Sequence, residues 1–283
     1  MSINSFPWRN TRPVKIAGPE SIDFRGSRGA FVALVEETRA NRAHVASNIS
    51  NLVNEPSIVV AAEDQWVPYG PPRYRKAPTD SFIEDRDLSL IATEEVDLTR
   101  PNPFLRQPEW SELGRWWFDF QHINAKGPTW DLISSFGAES THARPKGLLL
   151  FEGKAHFDEL KLESCRDHQR RVLEAKAAEY PAIFASTSWA ERFPYQMANR
   201  FAFGLKLAEL GYDVVLVYLG FLNAAPGNHY KPFTSQADWE SAVRQHGSSA
   251  GAKSADLAHP NVWSNPPIVL ASGGSFRARL TSA

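Results

Sequence analysis

The sequence contains a single cysteine, Cys165, so it cannot form an internal disulfide or supply a cluster of thiolate ligands to a metal. This excludes zinc-finger proteins and fits a reducing compartment. No apolar run approaches the roughly 20 residues of a membrane span. Residues 1–18 also lack the apolar core of a signal peptide. We therefore expect a cytoplasmic protein without a membrane partner.

Several catalytic motifs are also missing. The sequence has no glycine-rich phosphate loop ending in Lys-Ser/Thr, no dinucleotide fingerprint and no Gly-X-Ser-X-Gly turn. Its histidines do not show the spacing of a zinc hydrolase. The 31 basic and 32 acidic residues nearly cancel, so any attraction to nucleic acid must come from local clusters of charge.

What is present predicts an α/β fold. With 283 residues and 42% hydrophobic content, the chain can bury a large core. Apolar spacing predicts helices over residues 28–53, from Pro108, over 158–179, over 195–210 with Gly211 as its C-terminal stop, and over 238–246. Strands are predicted over 58–62, 129–136, 147–156, 214–219 and 268–270, the second and third forming an antiparallel pair. We expect a central mixed sheet flanked by helices, with residues 1–107 as an elaboration packed on a core of residues 108–283 in one structural domain.

The residues that carry chemistry lie on the predicted antiparallel pair. Asp131 is near the start of one strand, and Glu152-Gly153-Lys154 comes late in the next, where alternation puts Glu152 and Lys154 on one face. Two converging carboxylates repel each other unless a cation lies between them, and Mg²⁺ suits such a site. A bound ion lowers the pKa of its water, and the Lys154 ammonium can position that water or neutralise phosphate charge.

The alternative is a cross-strand ion pair on a solvated strand face. Against it, the apolar run Gly147-Leu148-Leu149-Leu150-Phe151 predicts burial on both faces, where unpaired charge is costly. The pattern therefore favours a functional cluster.

Asp131, followed about twenty residues later by Glu152-Gly153-Lys154, resembles the PD-(D/E)XK nuclease superfamily, which has the restriction-endonuclease-like fold. The resemblance extends to a group of uncharacterised bacterial proteins and covers roughly residues 108–246. The segments that carry it are Glu109-Trp110 through Trp116-Trp117, Trp130-Asp131, Glu152 through His156, Gln196 through Ala202, and Val214 through Asn223. Trp130 stands where the superfamily name has proline.

This resemblance implies that Asp131 and Glu152 hold Mg²⁺, for which Mn²⁺ can substitute. It further implies the Gly153 carbonyl as another ligand and Lys154 as the residue that assists the attacking water. Many members add a glutamate from the preceding helix, and Glu109 is the better candidate here because Glu112 lies on the edge of the apolar arc. The competing explanation for Glu109 is an acidic first turn that complements the helix dipole.

Three further residues are candidates. Gln196 and Arg200 share one stripe of their helix near its N-terminal end, where Gln196 would orient water or phosphate and Arg200 would bind phosphate. Helix capping and a surface ion pair are the alternatives. His156 would contact the substrate phosphate, and a structural histidine is the alternative there.

These observations together predict Mg²⁺-dependent hydrolysis of phosphodiester bonds, with DNA as the expected substrate. A nucleic-acid-binding or assembly protein that keeps the fold without turnover is the first alternative, and a sugar-phosphate or nucleotide hydrolase is the second. The sequence does not decide whether the substrate is DNA or RNA, or whether cleavage is internal or terminal. It also leaves the oligomeric state open, with a homodimer as one option.

Overall fold

The computed structural model describes residues 27, 31, 42–53, 55–67, 96–118, 127–137, 147–160, 171, 174–175, 178–179, 195–224, 230–249, 268–269 and 275–282. In chain order the elements are α1 (Arg42–Val53), β1 (Trp66–Val67), β2 (Val96–Asp97), α2 (Gln107–Phe118), β3 (Thr129–Trp130), β4 (Leu132–Phe136), β5 (Gly147–Lys154), a 3₁₀ turn (Phe157–Leu160), α3 (Tyr195–Glu209), β6 (Asp213–Gly220), α4 (Gln236–Ser249), β7 (Ile268–Val269) and β8 (Ser275–Ser282). The predicted helix 28–53 falls partly outside the described residues, and so does most of the predicted helix 158–179.

The central sheet is mixed, as predicted. Six strands lie in the order β1-β4-β5-β6-β8-β7, and a separate pair joins β2 to β3. β5, β6 and β8 are parallel, whereas β4 is antiparallel to β5, which confirms the predicted antiparallel pair. In the parallel pair Gly147 lies opposite Asp213 and Lys154 opposite Gly220. Both strands therefore end at the same edge of the sheet, which we call the C-terminal edge.

Two apolar layers cover the sheet. One layer contains Leu148 and Leu150 of β5 together with residues of α2, α3 and α4. The other contains Leu149 and Phe151 together with α1 and Phe31. Because successive residues of β5 face opposite layers, Glu152 and Lys154 follow Leu150 on the side of α2 and α3.

The direction of α3 fixes which of its residues reach the C-terminal edge. Gly211 stops the helix in a left-handed conformation (φ 92°). There Gly211 N–H donates to the Ala208 carbonyl at 2.9 Å and Tyr212 N–H donates to the Leu207 carbonyl at 3.2 Å, a Schellman motif that confirms the predicted stop. The chain then enters β6 directly, so the first turn of α3 lies at the end of the sheet where β5 and β6 finish.

The predicted strand at 58–62 is wrong, because these residues form turns and irregular structure. Side chains take the main-chain donors that a strand would have used: Val60 N–H donates to Ser50 Oγ and Ala61 N–H to Asp64 Oδ2. The strand begins instead at Trp66, which pairs with Ser134 of β4.

Residues before 108 take part directly in both sheets. β1 is the outer neighbour of β4, and β2 pairs with β3 immediately before Asp131. No helix in the described part of the chain is long and apolar enough to cross a membrane.

Candidate active site

The side chains of Glu152 and Lys154 lie at the C-terminal edge of the sheet and are buried. Their side chains are only 4% and 7% exposed, and Lys154 Nζ donates to Glu152 Oε1 at 2.6 Å. The alternative of a solvated strand face is therefore excluded. Burying two charges costs several kcal/mol per ion unless each is paired and hydrogen-bonded, so the partners of this pair decide whether it is stable.

Arg200 supplies the second partner of Glu152. Its Nε donates to Glu152 Oε2 at 2.8 Å, with the Arg200 side chain 8% exposed. Nη1 donates to Asn199 Oδ1 at 2.7 Å, and Nη2 donates to the Thr129 carbonyl. Each nitrogen of the guanidinium thus has a protein acceptor, and Arg200 joins α3 to both β5 and β3.

Gln196 completes the contacts of Lys154. It lies one helical turn before Arg200 on the same face of α3, and its Oε1 accepts a hydrogen bond from Lys154 Nζ at 2.7 Å. The structure therefore brings Gln196 and Arg200 to the pair at Glu152, as the sequence predicts. All of these contacts are within the protein. They use three of the five N–H donors of Arg200, so the expected phosphate contact would depend on the remaining two.

Asp131 lies just before the first residue of β4, at the end of the ladder between β4 and β5. β3 ends at Trp130 and β4 starts at Leu132, which leaves Asp131 as a bend between them. Its Oδ2 accepts a hydrogen bond from Gly153 N–H at 2.8 Å, so a carboxylate replaces the main-chain acceptor of a continuous strand. Asp131 is half-buried, and its charge acts on Lys154.

Neighbouring charges favour the ionised forms of Glu152 and Lys154. Burial opposes ionisation of Glu152, but the charges of Arg200 and Lys154 outweigh it and hold the pKa of Glu152 below its ordinary value. Burial likewise opposes the charged form of Lys154, yet Glu152 and then Asp131 raise its pKa. The cluster therefore consists of two carboxylates and two cations.

Position 153 has no room for a side chain, because a Cβ there would point to the face of β5 opposite Glu152 and Lys154. A Cβ at this position would lie 2.5 Å from Phe31 Cε2 and 3.0 Å from both Phe221 Cε2 and Ser27 Cβ. Phe31 packs edge-on against Phe221, with ring centroids 4.9 Å apart. The residue between Glu152 and Lys154 is therefore a glycine for packing reasons, independently of any ligand role for its carbonyl.

Glu109 is not brought to this cluster, which corrects the expectation that it would be a metal ligand. Its Oε2 accepts hydrogen bonds from Arg106 N–H at 2.8 Å and from the Tyr212 hydroxyl. Tyr212 precedes the first residue of β6, whereas Glu152 pairs with Tyr218 near the end of that strand, about 20 Å further along at 3.3 Å per residue. Glu109 caps α2 at the opposite end of the sheet. Glu112 also lies there, beside Lys206 at 3.4 Å.

His156 lies two residues beyond Lys154, and its ring stacks on Tyr230 with centroids 4.3 Å apart. Nδ1 of His156 is buried and has no hydrogen-bond partner among the described residues. Stacking on Tyr230 is therefore one of the contacts that orient the ring.

Sequence reasoning overlooked three contributors. Tyr218 is fully buried next to Glu152 in the register of β5 and β6, and burial followed by the charge of Glu152 raises its pKa well above the ordinary value. Asn199 and the Thr129 carbonyl hold Arg200. Asn199 is next to the candidate Arg200 in the sequence. The contact of Tyr218 depends on the register between β5 and β6, and that of the Thr129 carbonyl depends on how the chain folds.

The donor types at this edge fit Mg²⁺, which proteins bind through one or two carboxylates together with water. Among the described residues, however, no group of three or more His, Cys, Asp and Glu side chains could hold a metal ion. Both oxygens of Glu152 accept hydrogen bonds from cations. A divalent ion at Glu152 would therefore share an oxygen with Lys154 or Arg200, using the second lone pair of that oxygen.

No protein-family model matches the chain, and neither the curated proteins nor the solved structures gave a match.

Proposed function

We propose that the chain is a metal-dependent nuclease of the PD-(D/E)XK type with a restriction-endonuclease-like core. The proposal depends on one observation, the buried cluster in which Glu152 contacts Lys154 at 2.6 Å and Arg200 at 2.8 Å at the C-terminal edge. Its support is the combination of the Asp-…-Glu-X-Lys pattern with an antiparallel strand followed by two parallel ones.

The roles of the residues follow from their contacts. Asp131 and Glu152 would hold Mg²⁺, with Mn²⁺ as a substitute, and the ion would supply a water of lowered pKa. Lys154 is the group suited to contact the water or a phosphate oxygen, because its ammonium has three donors and two of them are used by Glu152 and Gln196. Arg200 and Gln196 are positioning residues that orient Glu152 and Lys154.

A second function has its own support. Because Lys154 and Arg200 already pair with Glu152, the charge of Glu152 is compensated without a metal ion, as a nucleic-acid-binding protein without turnover would require. The two functions differ in a simple respect, since only the nuclease cleaves a phosphodiester bond when a divalent ion is added.

The test is cleavage of supercoiled plasmid DNA, single-stranded DNA and single-stranded RNA with Mg²⁺ or Mn²⁺, compared with EDTA. We expect metal-dependent cleavage, reduced on the order of 100-fold or more in Asp131→Asn, Glu152→Gln and Lys154→Met. Lys206→Met is the matched control, because it removes a lysine that pairs with glutamates at the other end of the sheet, and it should cleave like the wild type.

Metal binding is measured separately by the rise in melting temperature with Mn²⁺. We expect this rise in the wild type and in Lys206→Met but not in Asp131→Asn, with circular dichroism to show that each variant is folded. Lack of cleavage of all three substrates by folded wild type would favour the binding protein. Full cleavage by Lys154→Met would remove that residue from the mechanism.

A further inference from the structure

An exposed tyrosine lies beside the candidate site. Tyr230 is 42% exposed, and Val59 is the only other large apolar side chain that is exposed in the described part of the chain. One face of the Tyr230 ring stacks on His156 at an interplanar angle of 27°. His156 itself is only 8% exposed, so the accessible surface of this aromatic pair belongs to Tyr230.

The position of this pair is fixed by main-chain contacts. Phe157 N–H donates to the Lys231 carbonyl at 3.1 Å, and His156 forms an isolated antiparallel bridge with Pro232. The segment 230–232 therefore runs alongside the residues that follow β5. His156 is two residues from Lys154, which corresponds to about 7 Å of extended chain. Tyr230 therefore lies at the end of β5 that carries the charged cluster.

The side chains of Tyr230 and Lys231 suit the binding of a nucleotide. An aromatic face offers stacking to a nucleobase of any sequence, and Lys231 adds a cation next to it, its Nζ lying 4.5 Å from the centroid of the Phe157 ring. One nucleotide could then contact both elements, with its base on Tyr230 and its phosphate at Lys154. In a paired and stacked duplex the faces of a base are covered by its neighbours, so only an unpaired or flipped base presents a face to such a ring.

We infer that Tyr230 is a stacking platform for an unpaired nucleobase, and that the substrate is single-stranded or locally opened next to the phosphate at Lys154. This inference rests on the proposed nuclease function and adds a substrate class to it. Tyr230 acts in binding, and His156 positions it from beneath.

The test uses a short single-stranded oligonucleotide with one 2-aminopurine, whose fluorescence is quenched when the base stacks. Binding is measured by titration in EDTA, where no metal-dependent cleavage occurs, and a duplex of the same sequence is the comparison. We expect quenching with the single strand and weaker binding of the duplex. Tyr230→Ala should weaken binding of the single strand by roughly 5- to 100-fold.

Matched variants separate stacking from folding. Tyr230→Phe keeps the ring and should bind like the wild type, whereas Tyr230→Leu keeps apolar cover over His156 without an aromatic face and should lose the quenching. Val59→Ala, which removes the other exposed apolar side chain, should change nothing.

The outcomes for the platform and for the nuclease are distinguishable. Cleavage with magnesium but equal binding by the Leu and Phe variants would overturn the platform and leave the nuclease. Quenched binding without cleavage would support the platform and overturn the nuclease. Equal or stronger binding of the duplex would overturn the single-strand preference.

Discussion

Glutamate and lysine meet at both ends of the sheet face that α2 and α3 cover, but their surroundings differ. At the C-terminal edge, Glu152 and Lys154 are 4% and 7% exposed and lie 2.6 Å apart. At the opposite end, Lys206 is 15% exposed and lies 3.4 Å from Glu112, which is 49% exposed. Exposed ion pairs contribute about 0–1 kcal/mol to stability, whereas removing one member of a buried pair leaves an uncompensated charge. We therefore expect substitution of these residue types to cost little stability at the exposed end and much more at the buried end.

The largest effect expected from this comparison is on stability. Glu152→Ala leaves Lys154 and Arg200 buried without their shared carboxylate, and we expect a loss of about 3–5 kcal/mol in the free energy of unfolding. Glu112→Ala should lose less than about 1 kcal/mol. Urea denaturation followed by circular dichroism measures both, and equal losses would show that burial does not separate the two ends.

A smaller effect is expected from the glycine behind the cluster. In Gly153→Ala the new methyl group would meet Phe31 at 2.5 Å, and overpacking of this kind costs about 1–3 kcal/mol. Because Gly153 N–H donates to Asp131, displacement of the strand should also reduce the affinity for Mn²⁺, measured by titration calorimetry.

Gly114→Ala in α2 is the control. Its Cβ would lie 3.2 Å from the Thr99 carbonyl, while alanine favours the helix by roughly 1 kcal/mol, so its net change should be smaller than that of Gly153→Ala. A Gly153→Ala protein as stable as the wild type would mean that Phe31 moves aside easily.

The smallest effect is on the pH dependence of stability. The pKa of Glu152 is lower in the folded chain than its ordinary value of 4.5. Its charged contacts therefore stabilise the fold above that pH, and this stabilisation is lost as the pH falls through the folded-state pKa, by up to about 1.4 kcal/mol per pH unit for one proton. Urea denaturation from pH 6 downwards should give a shallower decline for Glu152→Gln than for the wild type. Parallel curves for the two proteins would contradict this assignment.

Much of the candidate site could be predicted because it depends on local periodicity. Glu152 and Lys154 are two residues apart on a strand, and Gln196 and Arg200 are four apart on a helix, so each pair must share a face. Which of these faces meet is decided by the direction of α3, and the Gly211 stop directly before β6 sets that direction.

The prediction for Glu109 was wrong because a helical wheel shows which face of the helix a residue is on, but not its position along the strands of the sheet. Glu109 does face the sheet side of α2, yet it bonds to Tyr212 at the far end. Tyr218 was missed for the related reason that its contact depends on the register between two strands 66 residues apart.

Two strand predictions also differ from the structure, one at residues 58–62 and one at β8. The segment at 58–62 has the composition of a strand, but Ser50 and Asp64 take its main-chain donors. β8 was not predicted, although Phe276, Ala278 and Leu280 alternate with polar residues as a strand requires. That alternation was a usable signal for a strand, whereas its parallel pairing with β6 is known only from the structure.

The contact between Phe31 and Gly153 has a practical consequence for shortened versions of the protein. A chain trimmed to residues 108–246, the segment on which the proposed nuclease resemblance rests, would lack Phe31, the strand β1 that borders β4 and the strand β8 that borders β6. It would contain a void the size of a benzyl group directly behind the carboxylate-bearing strand, a defect comparable to a Phe→Ala replacement in a core. Inactivity of such a fragment would therefore reflect the lost strands and packing as well, and would not by itself test the chemistry of Asp131 and Glu152.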